Sequence, residues 1–471
     1  MSTQFAQGPH TFHPTILREY DIRGRLDNSL SAQDAFAIGC AFGTMIIRRG
    51  GKTASVGYDG RPSSPIFADA LCAGLQSTGV DVEMIGLGPS PMLYFAVKSR
   101  KRDGGVMVTG SHNPPEYNGF KLMFQNESVY GAMVTEIGRL SAEADFEQGE
   151  GSRTDIDVSD DYVARILSDY STDKGYRIAW DNGNGAAGQV LQKLVEDLPG
   201  EHALLYEDID GTFPNHHPDP TVDANLKDVR DLVLAEGCDL GIAFDGDGDR
   251  IGVVDEKGNI LKCDTLMLIW ARTVLKEHQG APIVGEVKCS QVLFDEIKRL
   301  GGQPIMWKTG HSHIKSKMAE LSAPLAGELS GHIFFADTYY GYDDALYAAI
   351  RLLNVMAEEG KTLSELTAHL PKLFSTPEIR FEVDEDKKFT IIETLVADLK
   401  ARHDSDIEVI DIDGARVNTK DGWWLMRASN TQNVLGTRIE ATSEAGLSRL
   451  KAMLQDEMQQ FGITIPFDKE H

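Results

Sequence analysis

Apolar residues along this chain of 471 residues recur at two spacings, one near every third or fourth position and one at alternate positions. The first spacing covers Ala32 to Arg48 and predicts a helix there. The segment that follows, TASVGYDGRPSSPIFADALCAGLQSTGVDVEMIG, predicts strand, small polar loop, helix and strand. The same order returns in RIAWDNGNGAAGQVLQKLVEDL with HALLY, and again in PIVGEVKCSQVLFDEIKRLGG with QPIMW. Strands alternating with helices of this length predict parallel pairing under covering helices, with the three small-residue loops at equivalent strand ends. The copies are far longer than solenoid repeats, so they predict three separate but related α/β domains with mixed sheets. From about Thr376 the pattern changes. PEIRFEVDE and SDIEVIDID alternate like half-exposed strands around the helical KKFTIIETLVADLKAR; GWWLMRASNTQNVLGTRIEA then reads as a hairpin and EAGLSRLKAMLQDEMQQF as a closing helix. A smaller α+β domain with an antiparallel sheet is expected there. The expected domains are 1–153, 154–254, 255–372 and 373–471.

Composition narrows the classes of function. Lys and Arg total 46 against 72 for Asp and Glu, a formal charge of −26 that opposes wholesale contact with nucleic acid or an anionic membrane. An anionic small molecule would need a local cationic site. No stretch reaches the ~20 apolar residues of a membrane span, and the start MSTQFAQGPHTFHPT lacks a basic, then apolar, secretory pattern. A cytoplasmic protein is expected, monomeric, with a dimer as the alternative. The five cysteines are scattered without a CxxC pair, which signals neither a disulfide framework nor a zinc site and predicts buried small apolar residues.

Candidate chemistry falls on a few loops. In TGSHNPPEYNGFK, Thr109 to Lys121, Pro114 and Pro115 remove two successive backbone donors and exclude helix and inner strand. Ser111 therefore stands on a loop at the carboxyl end of the apolar GGVMV, where open α/β sheets carry their reactive groups. Thr109, His112, Asn113 and Lys121 can bond or neutralise a phosphate, so a serine that accepts and returns a phosphoryl group competes with an ordinary Pro-rich loop. In LGIAFDGDGDRIGVVD, glycines separate Asp245, Asp247 and Asp249. On a flat strand alternate carboxylates would lie ~6.7 Å apart, too far to share one ion. Gly246 and Gly248 allow a coil in which three hard oxygens converge, a donor set for magnesium rather than zinc. An EF-hand fails because Arg250 occupies its glycine position and strands flank the loop; an acidic turn without metal is the remaining rival.

Three weaker signals follow. PLAGELSGHIFF presents Glu328, Ser330 and His332 between glycines, suited to neighbouring sugar hydroxyls and a phosphate, or to a structural histidine. RASNTQN, at a hairpin tip, offers Arg427, Ser429, Asn430 and Thr431 as phosphate donors, against a solvated turn. Lys288, Lys308, His311 and His313 supply cations near strand ends, and the REYDIRG turn presents Arg23, whose rival reading is a surface ion pair.

Taken in order, TGSHNPP, DGDGDR, GELSGH and RASNTQN resemble the α-D-phosphohexomutase superfamily, and YDIRG with WKTGHS resembles most closely its bacterial phosphomannomutase/phosphoglucomutase group. The resemblance spans essentially the whole chain. It implies three related α/β domains and a fourth around one cleft, and the interconversion of hexose 1-phosphate and 6-phosphate, with mannose or glucose, through a 1,6-bisphosphate. It implies that Ser111 is a phosphoserine and that Asp245, Asp247 and Asp249 bind Mg2+ together with its phosphoryl group. Tyr20 and Arg23 match the first active-site loop, Lys121 and His311 the candidate acid and base, and Arg250 and Lys288 groups that hold the reacting atoms. Glu328 and Ser330 would bind the sugar, His332 would lie near the transferred phosphate, and Arg427, Ser429, Asn430 and Thr431 would grip the other one, through a mobile fourth domain. The chain departs from the family pattern at Gln432 and Asn433, where Thr or Glu followed by Pro is common, and at Leu329 in place of methionine.

Lys121 acting as a base requires neighbouring positive charge to lower its pKa. Two other readings compete. One is an aspartyl-phosphate phosphotransferase with Asp245 as nucleophile and Asp247 as acid/base; the other is a non-catalytic sugar-phosphate binding protein.

Overall fold

The computed structural model describes residue 5 and residues 7–429 and 432–467. Three of its four sheets repeat one plan. In the first, Thr53–Tyr58 lies between Asp81–Leu87 and Gly104–Val108, both parallel to it, and Tyr117–Phe124 returns antiparallel to Gly104–Val108. In the second, Tyr176–Asp181 lies between Gly200–Leu205 and Leu240–Phe244, and Ile251–Asp255 returns. In the third, Pro282–Glu286 lies between Gln303–Trp307 and Leu325–Gly327, and Ile333–Phe335 returns. The three chemistry-bearing loops therefore occupy one structural position, the turn between the third parallel strand and its antiparallel partner. Ser111 lies in the first such turn, the aspartate trio in the second and Glu328 to His332 in the third.

Local sequence explains the elements. The helix Ala32–Arg48 starts on a capping box in which the Ser31 hydroxyl takes the Asp34 amide and the Asp34 carboxylate takes the Ser31 amide. It packs on Ser64–Ser77 through Gly39 and Gly74, where a Cβ would overlap the facing backbone. The fourth sheet is antiparallel, with Gly422–Ala428 between Ala415–Thr419 and Val434–Ala441, and the helices Glu385–Ala401 and Glu444–Gln459 pack against it.

The three expected α/β domains are present, each with its own sheet, and their cores are continuous. One continuous apolar cluster runs from Tyr94 and Phe95 through Trp180 and Trp270 to Tyr347 and joins the first three domains. Its cause is the helix Ala345–Glu359, which is apolar on nearly every side and touches Ile251–Asp255, Ser159–Leu167 and Cys263–Glu277. The fourth domain keeps its own core around Trp424, Leu435, Ile439 and Leu454. Two sheets also run past the expected joins. Arg153–Asp155 adds to the first and Ile260–Leu261 to the second, edge pieces too short to show alternation in sequence. All five cysteines are buried. Among the described residues no helix is long and apolar enough to cross a membrane.

Candidate active site

Ser111 is buried and adopts φ +49°, a left-handed conformation that non-glycine residues rarely keep without support. The support is local. Its amide donates to Thr109 Oγ1 at 2.8 Å, and Thr109 Oγ1 and the Gly110 amide donate to Asp59 Oδ2 at 2.8 and 3.1 Å. Arg61, fully buried, donates to the carbonyls of Ser111, Asn113, Pro114 and Tyr117 at 2.6–3.0 Å and pairs with Asp59 at 3.1 Å. A single guanidinium thus shapes the whole serine loop. Arg23 reaches the same loop, donating to Asn113 Oδ1 at 2.5 Å and pairing with Asp21 at 2.6 Å.

Across the domain junction, Ser111 Oγ donates to Asp245 Oδ2 at 2.9 Å. Asp245, Asp247 and Asp249 are fully buried with carboxylate oxygens within 4.8 Å of one another, closer than the ~6.7 Å of a flat strand, because Gly248 turns the backbone at φ +71°. Asp245 Oδ1 takes the Asp249 and Arg250 amides at 3.1 and 3.2 Å. Asp247 Oδ1 and Asp249 Oδ1 are buried without a hydrogen-bond partner. Three convergent carboxylates with two uncommitted oxygens fit a hard divalent cation such as magnesium. Burial and the charges of Asp249 and Asp247 push Asp245 well above the carboxylate range; burial pushes Asp247 the same way, but Lys121 outweighs it and holds Asp247 low.

Lys121 differs from its sequence reading. Its ammonium sits 2.6 Å from Asp247 and 2.5 Å from Asp249. Burial alone would lower its pKa, but the two carboxylates raise it well above the lysine value, so its neighbours are anionic rather than cationic and favour the protonated form.

The serine and aspartate loops touch backbone to backbone. A Cβ on Gly246 would overlap the Ser111 carbonyl, and the Ser90 amide donates to the Asp247 carbonyl at 2.8 Å. Gly246→Ala is therefore expected to push the loops apart and destabilise the fold by about 1–3 kcal/mol, read in denaturant melts; an unchanged melt would show that the contact is dispensable.

Arg250 links three loops. It donates to His112 Nδ1 at 2.5 Å and to His332 Nε2 at 3.1 Å, and faces Asp245 at 3.7 Å and Asp219 at 3.8 Å. Burial and then Arg250 push His112 well below the usual histidine value, consistent with a neutral acceptor. His311 stacks on His332 with ring centroids 5.4 Å apart.

A second network lies at the seam with the fourth domain. Glu328 takes the Gly310 amide at 2.6 Å, and burial followed by Glu286 raises its pKa to about 7. Glu286 takes the Leu329 amide at 2.9 Å and the Thr309 hydroxyl at 2.5 Å; Ser330 is half-buried in the same turn. Thr309 joins three domains: its carbonyl accepts from Tyr20 Oη at 3.0 Å and its amide donates to Asp413 at 3.0 Å. Lys288 lies 3.5 Å from Glu286 and 3.4 Å from Glu378, while Arg427 pairs with Asp413 at 3.1 Å. Ser429 Oγ accepts the Gln432 amide at 3.1 Å; Asn430 and Thr431 lie outside the described residues. His313, read as a ligand cation, instead packs between Tyr20 and Tyr130 at 5.2 and 5.3 Å.

The four domain descriptions of phosphoglucomutase/phosphomannomutase match this chain in order, alpha/beta/alpha domain I at 14–148, II at 160–258, III at 262–374 and the C-terminal domain at 378–457. The chain belongs to the phosphoglucomutase/phosphomannomutase family. It is 41% identical over 466 residues to the phosphomannomutase/phosphoglucomutase of Pseudomonas aeruginosa, covering 99% of each chain. It is 39% identical over 439 residues to a phosphoglucomutase of Neisseria meningitidis, covering 93% of this chain and 95% of that one. A crystal structure of a family protein from Burkholderia thailandensis superposes with TM-score 0.91 at 41% identity, over 98% of this chain and 100% of that one.

Within this phosphohexomutase frame, sequence reasoning missed the buried acids and Arg61. A signal was present, since the first strand of each repeat ends on an acid or is followed at once by one: Asp59 after Tyr58, Asp181 and Glu286. Asp59 and Glu286 bind the chemistry loop beside them, while Asp181 takes the Gly183 amide at 2.9 Å and faces His216 at 3.0 Å.

Proposed function

We propose that this chain is a phosphohexomutase that interconverts hexose 1-phosphates and hexose 6-phosphates, with mannose and glucose as its sugars, by way of phosphoserine 111. The observation that carries the reading is the 2.9 Å contact between Ser111 Oγ and Asp245 across 134 positions of sequence, which brings a nucleophile to a triad of buried carboxylates. The phosphorylated serine hands its phosphoryl group to the sugar's free hydroxyl: the Ser111 O–P bond breaks, the sugar O–P bond forms, and the proton the hydroxyl gives up is balanced by one taken up at Ser111 Oγ. The resulting 1,6-bisphosphate turns end over end and returns its other phosphoryl group to Ser111. Asp245, Asp247 and Asp249 would hold a magnesium ion, which supplies positive charge to the transferring group. Arg250 is placed to orient the phosphoryl oxygens, and Lys121 to donate to them. Glu328 and Ser330 receive the sugar, and Arg427 with Ser429 to Thr431 the resting phosphate. The fourth domain, with a core of its own, can release and regrip that phosphate without disturbing the metal loop. The proposed domains remain 1–153, 154–254, 255–372 and 373–471, the fourth as the moving part.

Asp245 is poorly placed as an alternative nucleophile. Both of its oxygens already accept hydrogen bonds, Oδ2 from Ser111 Oγ and Oδ1 from the Asp249 and Arg250 amides. The test is turnover of mannose 1-phosphate and glucose 1-phosphate with magnesium and a trace of the matching 1,6-bisphosphate. We expect turnover of both, its loss with EDTA, and an acid-stable phosphate on Ser111. Binding without turnover, or an alkali-labile acyl phosphate on Asp245, would reject the proposal.

A further inference from the structure

Asp343 has no part in the reading above, yet its carboxylate is fully buried beside His311 and His332 of the candidate site. It is held rigidly. Its backbone bridges to Phe334, and the next residue, Asp344, caps the helix Ala345–Glu359, taking the Tyr347 amide and the hydroxyls of Tyr162 and Tyr339, each at 2.9 Å. The two carboxylate oxygens of Asp343 face different partners. Oδ1 accepts from Lys315 Nζ at 3.1 Å. Oδ2 lies 2.9 Å from His332 Nδ1 and 3.8 Å from His311 Nδ1, at the edge of the stacked pair of rings.

The tautomer of His332 follows from its other nitrogen. Arg250 Nε lies 3.1 Å from His332 Nε2, and a guanidinium can only donate. Nε2 must therefore present a lone pair, and the proton of the neutral ring stands on Nδ1, 2.9 Å from Asp343 Oδ2 and 3.6 Å from Asp249 Oδ1. That proton also argues against a second metal at Asp249, His332 and Asp343, although their ligand atoms come within 4.8 Å of one another.

We propose that Asp343 is a positioning residue for phosphoryl transfer. Its Oδ2 fixes the Nδ1–H tautomer of His332 and keeps His311 stacked on it; the bare Nε2 then anchors Arg250 over Ser111 and Asp245. A ring turned over would present N–H to the guanidinium, donor against donor, and Arg250 would leave the reaction centre. The inference rests on the mutase reading for its consequence but not for its geometry.

Asp343→Asn tests it without a change of size. The amide nitrogen must face either the Lys315 ammonium or the His332 Nδ1–H, so one donor clash is unavoidable. Histidine-selective 15N NMR of the ligand-free wild-type protein, with His332 assigned through His332→Asn, is expected to show a protonated Nδ1 and a bare Nε2. In D343N that pattern should be lost, with kcat down about 10²-fold and KM within about threefold. Lys315→Met, which leaves Oδ2 untouched, should keep the wild-type pattern.

A wild-type His332 with a bare Nδ1 overturns the inference, and does so even where D343N fails to fold. So does a D343N enzyme with near-normal kcat, or one that loses kcat with the His332 signals unaltered. Absence of wild-type mutase turnover would instead sink the proposed function and leave the spectrum to decide this point.

Discussion

Ser111→Ala is expected to lower kcat for hexose-phosphate interconversion by about 10⁴-fold or more, the scale on which removal of a nucleophile acts. The fold should survive, because the Thr109 hydroxyl and Arg61 bind the backbone of Ser111 rather than its Oγ, and Asp59 holds Thr109 and Gly110 beside it. The hydrogen bonds lost are the donation to Asp245 Oδ2, worth about 1–3 kcal/mol for a buried acceptor left unpaired, and a longer one with His112 Nδ1 at 3.4 Å. Substrate affinity should change little, since the proposed sugar and phosphate contacts come from other loops. The check pairs a coupled assay with intact mass: the wild-type protein incubated with a 1,6-bisphosphate should gain one phosphate and the variant none. A variant that still carries an acid-stable phosphate would move the nucleophile elsewhere.

Sequence made the repeated units legible because parallel strand, loop, helix and strand carry two different apolar periods in a fixed order. It also exposed the serine and aspartate loops, since consecutive prolines and glycine-spaced carboxylates leave few conformations open. It hid the position those loops share, which depends on an antiparallel return strand that the repeat pattern does not include. Buried charge was hidden as well. Arg61, Asp219 and Asp343 look like ordinary surface residues in sequence, and the site partners Ser111, Arg250 and His332 that they meet stand 50, 31 and 11 positions away. Lys121 shows the same limit from the other side: the residue was visible, but the sign of the charge around it came from aspartates of another domain. The continuity of the first three cores was hidden as well, since a helix apolar on nearly every side, Ala345–Glu359, does not reveal which sheets it will join.

Arg61 carries the second large expected effect. Its side chain is inaccessible to solvent, pairs with an almost equally buried Asp59 at 3.1 Å and donates to four carbonyls of the serine loop. Phe213 of the second domain covers it, 5.2 Å from the guanidinium carbon. Arg61→Met keeps much of the volume but leaves Asp59 charged, buried and without its cation, a loss of about 3–5 kcal/mol. The carbonyls of Ser111, Asn113, Pro114 and Tyr117 lose their shared donor at the same time, so kcat should also fall, by about 10²-fold for a displacement of the nucleophile near 1 Å. Arg61→Lys separates the two effects. One ammonium can answer Asp59 and recover most of the stability, but a point charge with three donors cannot reproduce a planar fork spread over five acceptors. Denaturant melts of both variants read the first effect, and kcat together with phosphate incorporation at Ser111 reads the second. If the lysine variant turned over within about threefold of the wild type, the serine loop would hold its shape without the fork, and the left-handed turn at Ser111 would owe its stability to Thr109 and Asp59 alone.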